Sequence, residues 1–282
     1  MPSRAGDVMK EMHCGQYRAR PATLAEDLRR AQALRWLCFR RRGRACAPDD
    51  AAAPGPCQSD ADRFDALCDH VLIENLRTGA LAGCFRVRHL RTGAEIRESY
   101  SAQFYGLDRL AQYPAPSVEL GRFCLHPGQH DPRVLRLAWA FLTDLVEAAG
   151  ATLVFGCTSF SGDDAAACAR ALGPSLASHL APPRWRPEVR APHVIRLVEG
   201  AGLPGSRSPE RGADHQPGIA GLPPLLRSYL GLGAWISDHA VIDDDLGTVH
   251  VFTALETAAI PARRLASLRA LAEGLAMRGT AN

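Results

Sequence analysis

SVELGRFCLHP, residues 117–127, is the stretch where charged side chains interrupt an otherwise apolar run. Glu119 stands three residues before Arg122, Gly121 lies between them, and His-Pro ends the run. An apolar run of this length that ends in turn-forming residues predicts a buried strand. A buried Glu or Arg costs free energy unless it is paired or functional. Glu119 and Arg122 are therefore either a structural ion pair or part of a site.

The patterns on both sides of this strand predict an α/β fold. Two strands, 65–74 and 81–88, precede it and are joined by a turn, which predicts an antiparallel hairpin. A helix at 134–149 and a strand at 152–157 follow it. The order strand, helix, strand predicts a parallel connection. Together these units predict a mixed central sheet with flanking helices.

The domain organisation follows from composition and periodicity. Residues 1–22 have no clear periodicity and are expected to be a flexible N-terminal arm. Residues 23–265 are expected to form one domain, with loops at 43–61 and 200–218 that are rich in Gly, Pro and small residues. Residues 266–282 are expected to be a C-terminal helical tail, for which packing on the core is favoured over lying on a membrane surface.

The bulk composition excludes several classes of protein. The chain has 282 residues, 46% of them hydrophobic, which suffices for one substantial core or two small ones. Its net charge of +3 is too weak to indicate a nucleic-acid partner. Nine scattered cysteines without a Cys-x-x-Cys pair argue against a zinc site or a disulfide framework. Without an apolar signal region or a membrane-length apolar run, we expect a cytoplasmic protein.

Positive charge is concentrated in one short segment. Five arginines lie within ten residues: Arg35, Arg40, Arg41, Arg42 and Arg44. This cluster is typical either of a solvated helix end or of a dock for an acidic partner or an anionic membrane. Local charge alone leaves both interpretations open.

Six short motifs, taken in order, resemble one family. They are RWLCF (35–39), FDALCDH (64–70), GCFR (83–86), YSAQF (100–104), ELGR with HP (119–122, 126–127) and FGCTSF (155–160). The segment PPLLRSYL (223–230) adds to the similarity. Over residues 24–265 the chain resembles the bacterial ornithine–acyl-carrier-protein N-acyltransferases, which have a GNAT-like fold and are related to the autoinducer synthases.

The resemblance implies an activity that composition does not show. The enzyme would transfer a 3-hydroxyacyl chain from acyl carrier protein to the α-amine of L-ornithine, which gives lyso-ornithine lipid. Glu119 would be the base that deprotonates the amine, and Arg122 would be the second catalytic residue. Substrate binding would fall to five residues: Arg35, Phe39, Asp65, Asp69 and Arg86. Arg86 or Arg122 would hold the carboxylate of ornithine, and Asp65 or Asp69 its side-chain ammonium.

The stretch before the central helix argues against coenzyme A. Acetyl-CoA enzymes of this fold carry a glycine-rich segment there, whose amides bind pyrophosphate. Residues 129–134 instead have the sequence QHDPRV, in which Asp131 would repel a phosphate. We therefore expect the phosphopantetheine thioester of acyl carrier protein as donor, without a cofactor or a metal. Arg40, Arg41, Arg42 and Arg44 are the expected docking residues, and contact with the inner membrane face is a further expectation.

Several alternatives stay open on sequence alone. His126 or His130 could replace Glu119 as base, and Cys124 or Cys157 could form an acyl-cysteine. An autoinducer synthase that uses S-adenosylmethionine has the same fold. A non-catalytic module that binds acyl carrier protein or a membrane would not need Glu119, Arg122 or Arg86.

A shared site for Glu119 and Arg122 requires an irregular strand. Residues three apart in a regular strand point to opposite faces of the sheet. We therefore predict a bulge between them, with the strained conformation at Gly121, because glycine tolerates it.

Overall fold

The computed structural model describes residues 10–41, 58–160, 165–197 and 222–279. Most of the two predicted loops, together with Arg42 and Arg44, lies outside these residues. The chain divides into two compact units. The first unit comprises Met1–His89, Val118–Thr152 and Ala262–Asn282, and the second comprises Leu90–Ser117 and Leu153–Pro261.

Eleven strands and five helices are found in the described part of the chain. The strands are β1 (Met12–Cys14), β2 (Tyr17–Pro21), β3 (Asp69–Asn75), β4 (Leu81–Leu90), β5 (Tyr105–Gly106), β6 (Ser117–Leu125), β7 (Leu153–Phe160), β8 (Glu188–Val189), β9 (Val194–Arg196), β10 (Trp235–Asp243) and β11 (Thr248–Glu256). The helices are α1 (Ala25–Phe39), α2 (Pro132–Ala148), α3 (Ala165–His179), α4 (Pro224–Gly231) and α5 (Ala262–Gly279).

In the first unit, a sheet in the order β1-β2-β3-β4-β6 lies between helices. Neighbouring strands from β1 to β4 are antiparallel. Leu34 of α1 packs with Leu72 and Cys84 on one face of this sheet. Phe85 points to the opposite face, where its ring meets Phe141 of α2 edge-on at 6.4 Å. Side-chain alternation along β4 thus places α1 and α2 on opposite faces.

Close contact between β4 and β6 depends on Gly83. A Cβ atom at this position would lie 2.8 Å from Cδ2 of Leu125 and 3.0 Å from the carbonyl oxygen of Cys124. His126 at the end of β6 donates its backbone N–H to the carbonyl of Ala82 at 2.9 Å. The glycine of the GCFR motif therefore lets β6 approach the strand that carries Arg86.

The prediction of a flexible arm over residues 1–22 is wrong for residues 12–21, which form β1 and β2. Met12, Tyr17 and Ala19 are buried. Arg18 and Arg20 alternate with the buried residues of β2, and each binds Glu74 of β3 at 2.9 Å. Each strand is too short for a clear alternating pattern, and the arginines of β2 pair with Glu74, which lies far along the chain. Sequence alone therefore does not reveal the two strands.

The boundary predicted at residues 265/266 falls inside α5. This helix begins at Ala262 and packs against α2 and β1, and Arg269 bonds Glu147 of α2 at 2.6 Å. Packing on the core is therefore the correct alternative for the C-terminal helix. None of the helices in the described ranges is both long enough and apolar enough to cross a membrane.

In the second unit, β7, β11, β10 and β9 form an antiparallel sheet, and β5 pairs with β8. Its core contains Phe155 stacked on Phe252 and the buried ring of Tyr105. The sequence did not predict β10, because Ser, Asp and His occupy the middle of that strand. Helix α3 lies in this unit and ends at His179.

Candidate active site

Strand β6 changes its alternation where the sequence predicts a break. Arg122 has φ of +51° and is the only described non-glycine residue with a positive φ. The left-handed conformation costs a non-glycine residue roughly 1–2 kcal/mol. The predicted bulge is therefore present, but Arg122 adopts the strained conformation instead of Gly121.

The bulge brings neighbouring residues to the same side of the sheet. A Cβ atom on Gly121 would lie 3.5 Å from Nε of Arg86, and the adjacent Arg122 binds Asp62, which also binds Arg86. Glu119, two residues before Gly121, points to the same side by alternation and is 5% exposed. The two charged residues of the central strand thus share one face.

The environment of Cys68 supports this placement of Glu119. Burial raises the pKa of the Cys68 thiol to about 12, Arg86 opposes the shift, and the negative charge of Glu119 adds to it. Cys68 therefore lies within electrostatic reach of both Arg86 and Glu119. A thiol with so high a pKa is protonated at neutral pH, which makes it a poor nucleophile.

Arg122 and Arg86 belong to a closed ring of alternating charges, here called the arginine–aspartate ring. Its members, in order around the ring, are Arg35, Asp60, Arg122, Asp62, Arg86 and Asp65. The shortest distances between the guanidinium and carboxylate groups of successive members, ending with Asp65 to Arg35, are 3.0, 2.9, 3.3, 2.7, 2.6 and 2.8 Å. The ring links α1, the segment 60–65, β4 and β6. It thereby fixes the side chains of Arg86 and Arg122 relative to each other.

The ring is electrically balanced and mostly buried. Although burial raises the pKa of Asp65, hydrogen bonds from Arg35 and the charges of Arg35 and Arg86 bring it down to about 2. Burial likewise raises the pKa of Asp60, and Arg122 and Arg35 lower it below its usual value. Both aspartates are therefore ionised at neutral pH, and their charges offset those of the arginines.

Two aromatic rings and one further arginine border the ring. The guanidinium of Arg122 lies 5.9 Å from the ring centre of Phe39, and that of Arg86 lies 5.9 Å from the ring centre of Phe64. Arg40 donates to Asp60 at 2.9 Å. Phe39 and Arg40, two of the residues singled out in the sequence, thus lie beside Arg122 and Asp60, and Arg41 follows them at the end of α1.

The structure places two of the expected substrate contacts, Arg35 and Asp65, in ion pairs of the ring. All three guanidinium nitrogens of Arg35 bond to Asp60 or Asp65, and Arg35 is 1% exposed, so it positions the segment 60–65. Both oxygens of Asp65 bond to arginines, and one also accepts from Gln32. Asp69 lies outside the ring, 3.4 Å from His89. Asp65 is therefore already occupied by arginines, whereas a substrate contact of Asp69 stays a prediction.

Sequence reasoning missed Asp60 and Asp62. Both precede the FDALCDH motif directly, in the run DADRFD (60–65). Three aspartates fall within these six residues, and one of them, Asp65, was already a candidate. This density of carboxylates was the signal that the sequence offered. The prediction instead assigned Asp60 to the end of the loop at 43–61.

The structure disfavours three of the alternative base and nucleophile candidates, namely His126, His130 and Cys124. His126 and His130 are exposed at the end of β6 and in the turn that follows it. Cys124 is buried, with its sulfur 3.6 Å from that of Cys84. Hydrogen bonding with Cys38 and Cys84, together with burial, raises the pKa of the Cys124 thiol well above its usual value. Cys124 is therefore protonated at neutral pH and is unsuited to nucleophilic attack.

The N-terminus of α2 is capped by a carboxylate. Asp131 accepts from the backbone N–H of Arg133 at 2.9 Å, and its side chain also pairs with the guanidinium of Arg133. Pro132 is the first residue of the helix. Asp131 thus occupies the place at which a helix N-terminus would otherwise bind an anion.

Part of the chain matches a known domain family. Residues 34–140 match the model of the acetyltransferase (GNAT) domain. The expected GNAT-like α/β fold, with a mixed central sheet and flanking helices, is confirmed by this match.

Curated relatives match over most of their length. An L-ornithine N(alpha)-acyltransferase from Brucella abortus is 31% identical over 269 residues, which are 92% of this chain and 90% of that protein. Another from Rhodobacter capsulatus is 29% identical over 254 residues, with coverage of 86% and 91%. Among solved structures, an N-acyl amino acid synthase from uncultured soil microbes has a TM-score of 0.40 and 10% identity over 86% of this chain and 92% of that one.

Proposed function

Because the chain belongs to the L-ornithine N(alpha)-acyltransferase family, we propose that it transfers a 3-hydroxyacyl chain from acyl carrier protein to the α-amine of L-ornithine. The product is the lyso-ornithine lipid that begins the synthesis of ornithine lipids. The observation that supports this activity best is the bulge at Gly121–Arg122, which gives Glu119 and Arg122 a common face beside Arg86.

In this proposal, Glu119 removes a proton from the α-ammonium of the acceptor. The neutral amine attacks the thioester carbonyl and the carbon–sulfur bond breaks. The second amine proton passes to the departing sulfur, so the products are the amide and the carrier thiol. Glu119 suits the task because its carboxylate can accept a proton and lies in a largely buried site. It would act on the amine directly or through one water. Backbone N–H groups of β6 are the candidate donors to the oxyanion.

Arg86 and Arg122 bind the carboxylate of the acceptor. A guanidinium binds a carboxylate through two parallel hydrogen bonds, which fixes the orientation of the amino acid. Both arginines are held in place by ring aspartates on neighbouring segments. The acceptor amine therefore enters a site whose cationic groups are already oriented.

The carboxylate cap on α2 supports a donor without a pyrophosphate. An anion at Asp131 would meet a negative charge where CoA-dependent enzymes of this fold offer backbone amides. Acyl carrier protein brings a single phosphodiester and an acidic surface instead. No cofactor enters the proposed reaction, since the phosphopantetheine thioester is itself a substrate.

Arg40, Arg41, Arg42 and Arg44 are proposed to dock the acidic carrier protein. Arg40 already pairs with Asp60, so the test uses its neighbours. Arg41→Glu combined with Arg42→Glu should raise the KM for acyl carrier protein and leave the KM for ornithine nearly unchanged, with an effect that weakens at high salt. Equal effects on both KM values, or no effect on either, would remove the docking role.

The proposal places the enzyme in the cytoplasm, where acyl carrier protein is found, with its lipid product released at the inner face of the membrane. The proposal includes a peripheral contact of the enzyme with that membrane. Flotation of the purified protein with anionic and with neutral vesicles measures it directly.

The central experiment assays the purified protein with 3-hydroxyacyl carrier protein and three acceptors: L-ornithine, L-lysine and S-adenosylmethionine. We expect lyso-ornithine lipid as the main product. Release of a homoserine lactone from S-adenosylmethionine would instead identify an autoinducer synthase. Binding of acyl carrier protein without any product would identify a non-catalytic module.

The same preparation should be offered the matching 3-hydroxyacyl-CoA. We expect a rate at least about tenfold below that with the carrier protein, because the helix N-terminus that would bind pyrophosphate is capped. Comparable rates with the two donors would contradict the interpretation of residues 129–134.

A further inference from the structure

Asp62 is the most exposed member of the arginine–aspartate ring. Its side chain is 22% exposed, whereas those of Asp60, Asp65, Arg86 and Arg122 are between 0% and 7% exposed. It is therefore the ring carboxylate that a ligand from solvent reaches first.

Asp62 occupies the fork of Arg86. Its Oδ1 lies 2.7 Å from Nη1 of Arg86, and its Oδ2 lies 2.8 Å from Nη2. This two-point contact is the arrangement in which a guanidinium binds the carboxylate of an amino acid. An acceptor carboxylate can reach this fork only by taking the place of Asp62.

The remaining contacts of Asp62 permit such a replacement. Its Oδ2 bonds Arg122 at 3.3 Å, the longest link in the ring. Its Oδ1 accepts from the backbone N–H of Phe64 at 2.9 Å, a bond within its own turn that ties the residue to the site. Released from Arg86, the side chain remains beside it.

We propose that Asp62 is an exchangeable carboxylate that selects acceptors with a cationic side chain. It fills the Arg86 fork in the free enzyme and gives way to the carboxylate of the acceptor. The displaced Asp62 then binds the side-chain ammonium of the same acceptor. This inference rests on the proposed amino-acid acylation and assigns the selectivity of that reaction to a residue outside the sequence motifs.

Charge balance explains the selectivity. The ring contains three guanidinium groups and three carboxylates, so its net charge is zero. An acceptor carboxylate on Arg86 adds one negative charge to the ring, and within the ring it leaves Asp62 with only its 3.3 Å contact to Arg122. A side-chain ammonium removes that charge. A neutral amino acid cannot, so it binds at the cost of one excess negative charge in a largely buried ring.

The other aspartates of the region are unsuited to this role. Asp60 bonds to Arg35, Arg40 and Arg122 and is fully buried. Asp65 bonds to Arg35 and Arg86 through the same oxygen. Asp69 is partly exposed and lies outside the ring, where its carboxylate pairs with His89 at 3.4 Å. It therefore serves as the matched comparison.

The experiment compares L-ornithine with L-norvaline, which is ornithine without its side-chain amine, in the wild type, Asp62→Asn and Asp69→Asn. In Asp62→Asn, the ratio of the ornithine to the norvaline kcat/KM should fall at least about tenfold, the usual worth of one charge-assisted hydrogen bond. The kcat/KM for norvaline should stay the same or rise, because a neutral amide competes less for Arg86. Asp69→Asn should keep the wild-type ratio.

Each other outcome decides against the exchange. Equal losses for both acceptors in Asp62→Asn, at an unchanged melting temperature, would show that Asp62 only orients Arg86 and does not bind the ammonium. A collapse of the ratio in Asp69→Asn would assign the ammonium to Asp69. A wild type that acylates neither amino acid would overturn the proposed function itself, whereas active wild type with an unaltered ratio in Asp62→Asn overturns the exchange alone.

A measurement on the wild type guards against a variant that does not fold. 1,4-Diaminobutane has both amines of ornithine but no carboxylate to displace Asp62. It should inhibit ornithine acylation only at concentrations at least about tenfold above the KM for ornithine. Inhibition near that KM would show that the ammonium binds without carboxylate exchange, which overturns the proposal.

Discussion

Arg35 of α1 and Arg86 of β4 donate hydrogen bonds to the same atom, Oδ1 of Asp65, at 2.8 and 2.6 Å. Arg35 is 1% exposed and Arg86 is 2% exposed. Two buried guanidinium groups near each other would repel strongly without the carboxylate between them. Asp65 therefore holds a helix and a strand together around the candidate site, which is a different role from the substrate contact that the sequence motif suggests.

The first prediction concerns the removal of this shared charge. Asp65→Asn should lower the free energy of unfolding by about 3 kcal/mol, the lower end of the range for breaking a buried ion pair, because Asp60 and Asp62 remain as partners. Urea denaturation followed by circular dichroism measures the loss. Asp69→Asn, at a partly exposed carboxylate outside the ring, should change the same quantity by no more than about 0.5 kcal/mol. Similar losses in both variants would refute the special role of Asp65.

The second prediction is the dependence of stability on pH. Arginine partners hold the pKa of Asp65 at about 2, below its ordinary 3.8, and that of Glu74 at about 2, below its ordinary 4.5, although burial raises both. Folded-state pKa values below those of the unfolded chain add stability that is complete above the unfolded values and is lost as pH falls through the folded ones. The free energy of unfolding should therefore be steady above about pH 5 and fall steadily towards pH 2.

Glu74→Gln provides the control for this profile. The variant removes one of the carboxylates with a depressed pKa, so its stability should fall less steeply between pH 5 and pH 2 than that of the wild type. Melting temperatures across a pH series compare the two proteins. A wild-type melting temperature that does not change between pH 5 and pH 3 would contradict the ionic origin of this stability.

The regular part of the fold could be predicted from the sequence. Apolar residues at helical spacing identified α1 and α2, and apolar runs that end in turns identified β3, β4 and β6. These elements bury their apolar faces locally, so the pattern appears within a short window. The break in β6 was also visible, because it is a local demand on the backbone.

The ring could be predicted only in part, because ion pairs between distant segments leave no periodic pattern. Arg35, Asp65, Arg86 and Arg122 were identified by motif, but the motif did not show that they bond to one another. Asp60 and Asp62 were missed because a polar run without apolar spacing resembles a loop. The left-handed conformation of Arg122 was placed on Gly121, since local preference favours glycine and tertiary ion pairs decided otherwise.

The third prediction tests the absence of a covalent acyl-cysteine. The Cys124 thiol has a pKa well above its usual value and lies beside Cys84. Cys124→Ser should keep kcat per folded molecule within about twofold of the wild type, because no bond to this sulfur forms in the reaction. Alkylation of the native protein with iodoacetamide at pH 8 should leave Cys124 unmodified, as mass spectrometry of its peptide would show. Loss of turnover in a folded Cys124→Ser variant would revive the covalent route.

The fourth prediction separates catalysis from structure at Glu119. Glu119→Gln preserves size and removes the proton acceptor, so kcat should fall by ~10²–10⁴-fold, the usual worth of general acid–base catalysis, without loss of the fold. Arg122→Lys keeps the charge but loses the planar fork that reaches both Asp60 and Asp62, so both turnover and stability should decline. A melting curve and a rate on the same sample distinguish the two effects.

If Glu119 only balanced buried charge, the result would be reversed. Glu119→Gln would then lower the melting temperature and leave most of the turnover per folded molecule intact. The rate should also be measured against pH, because a variant without its general base loses the acidic limb that the base imposes on kcat. Retention of this limb in Glu119→Gln, at a near-normal rate, would assign the proton transfer to another group and leave Glu119 as a structural residue of β6.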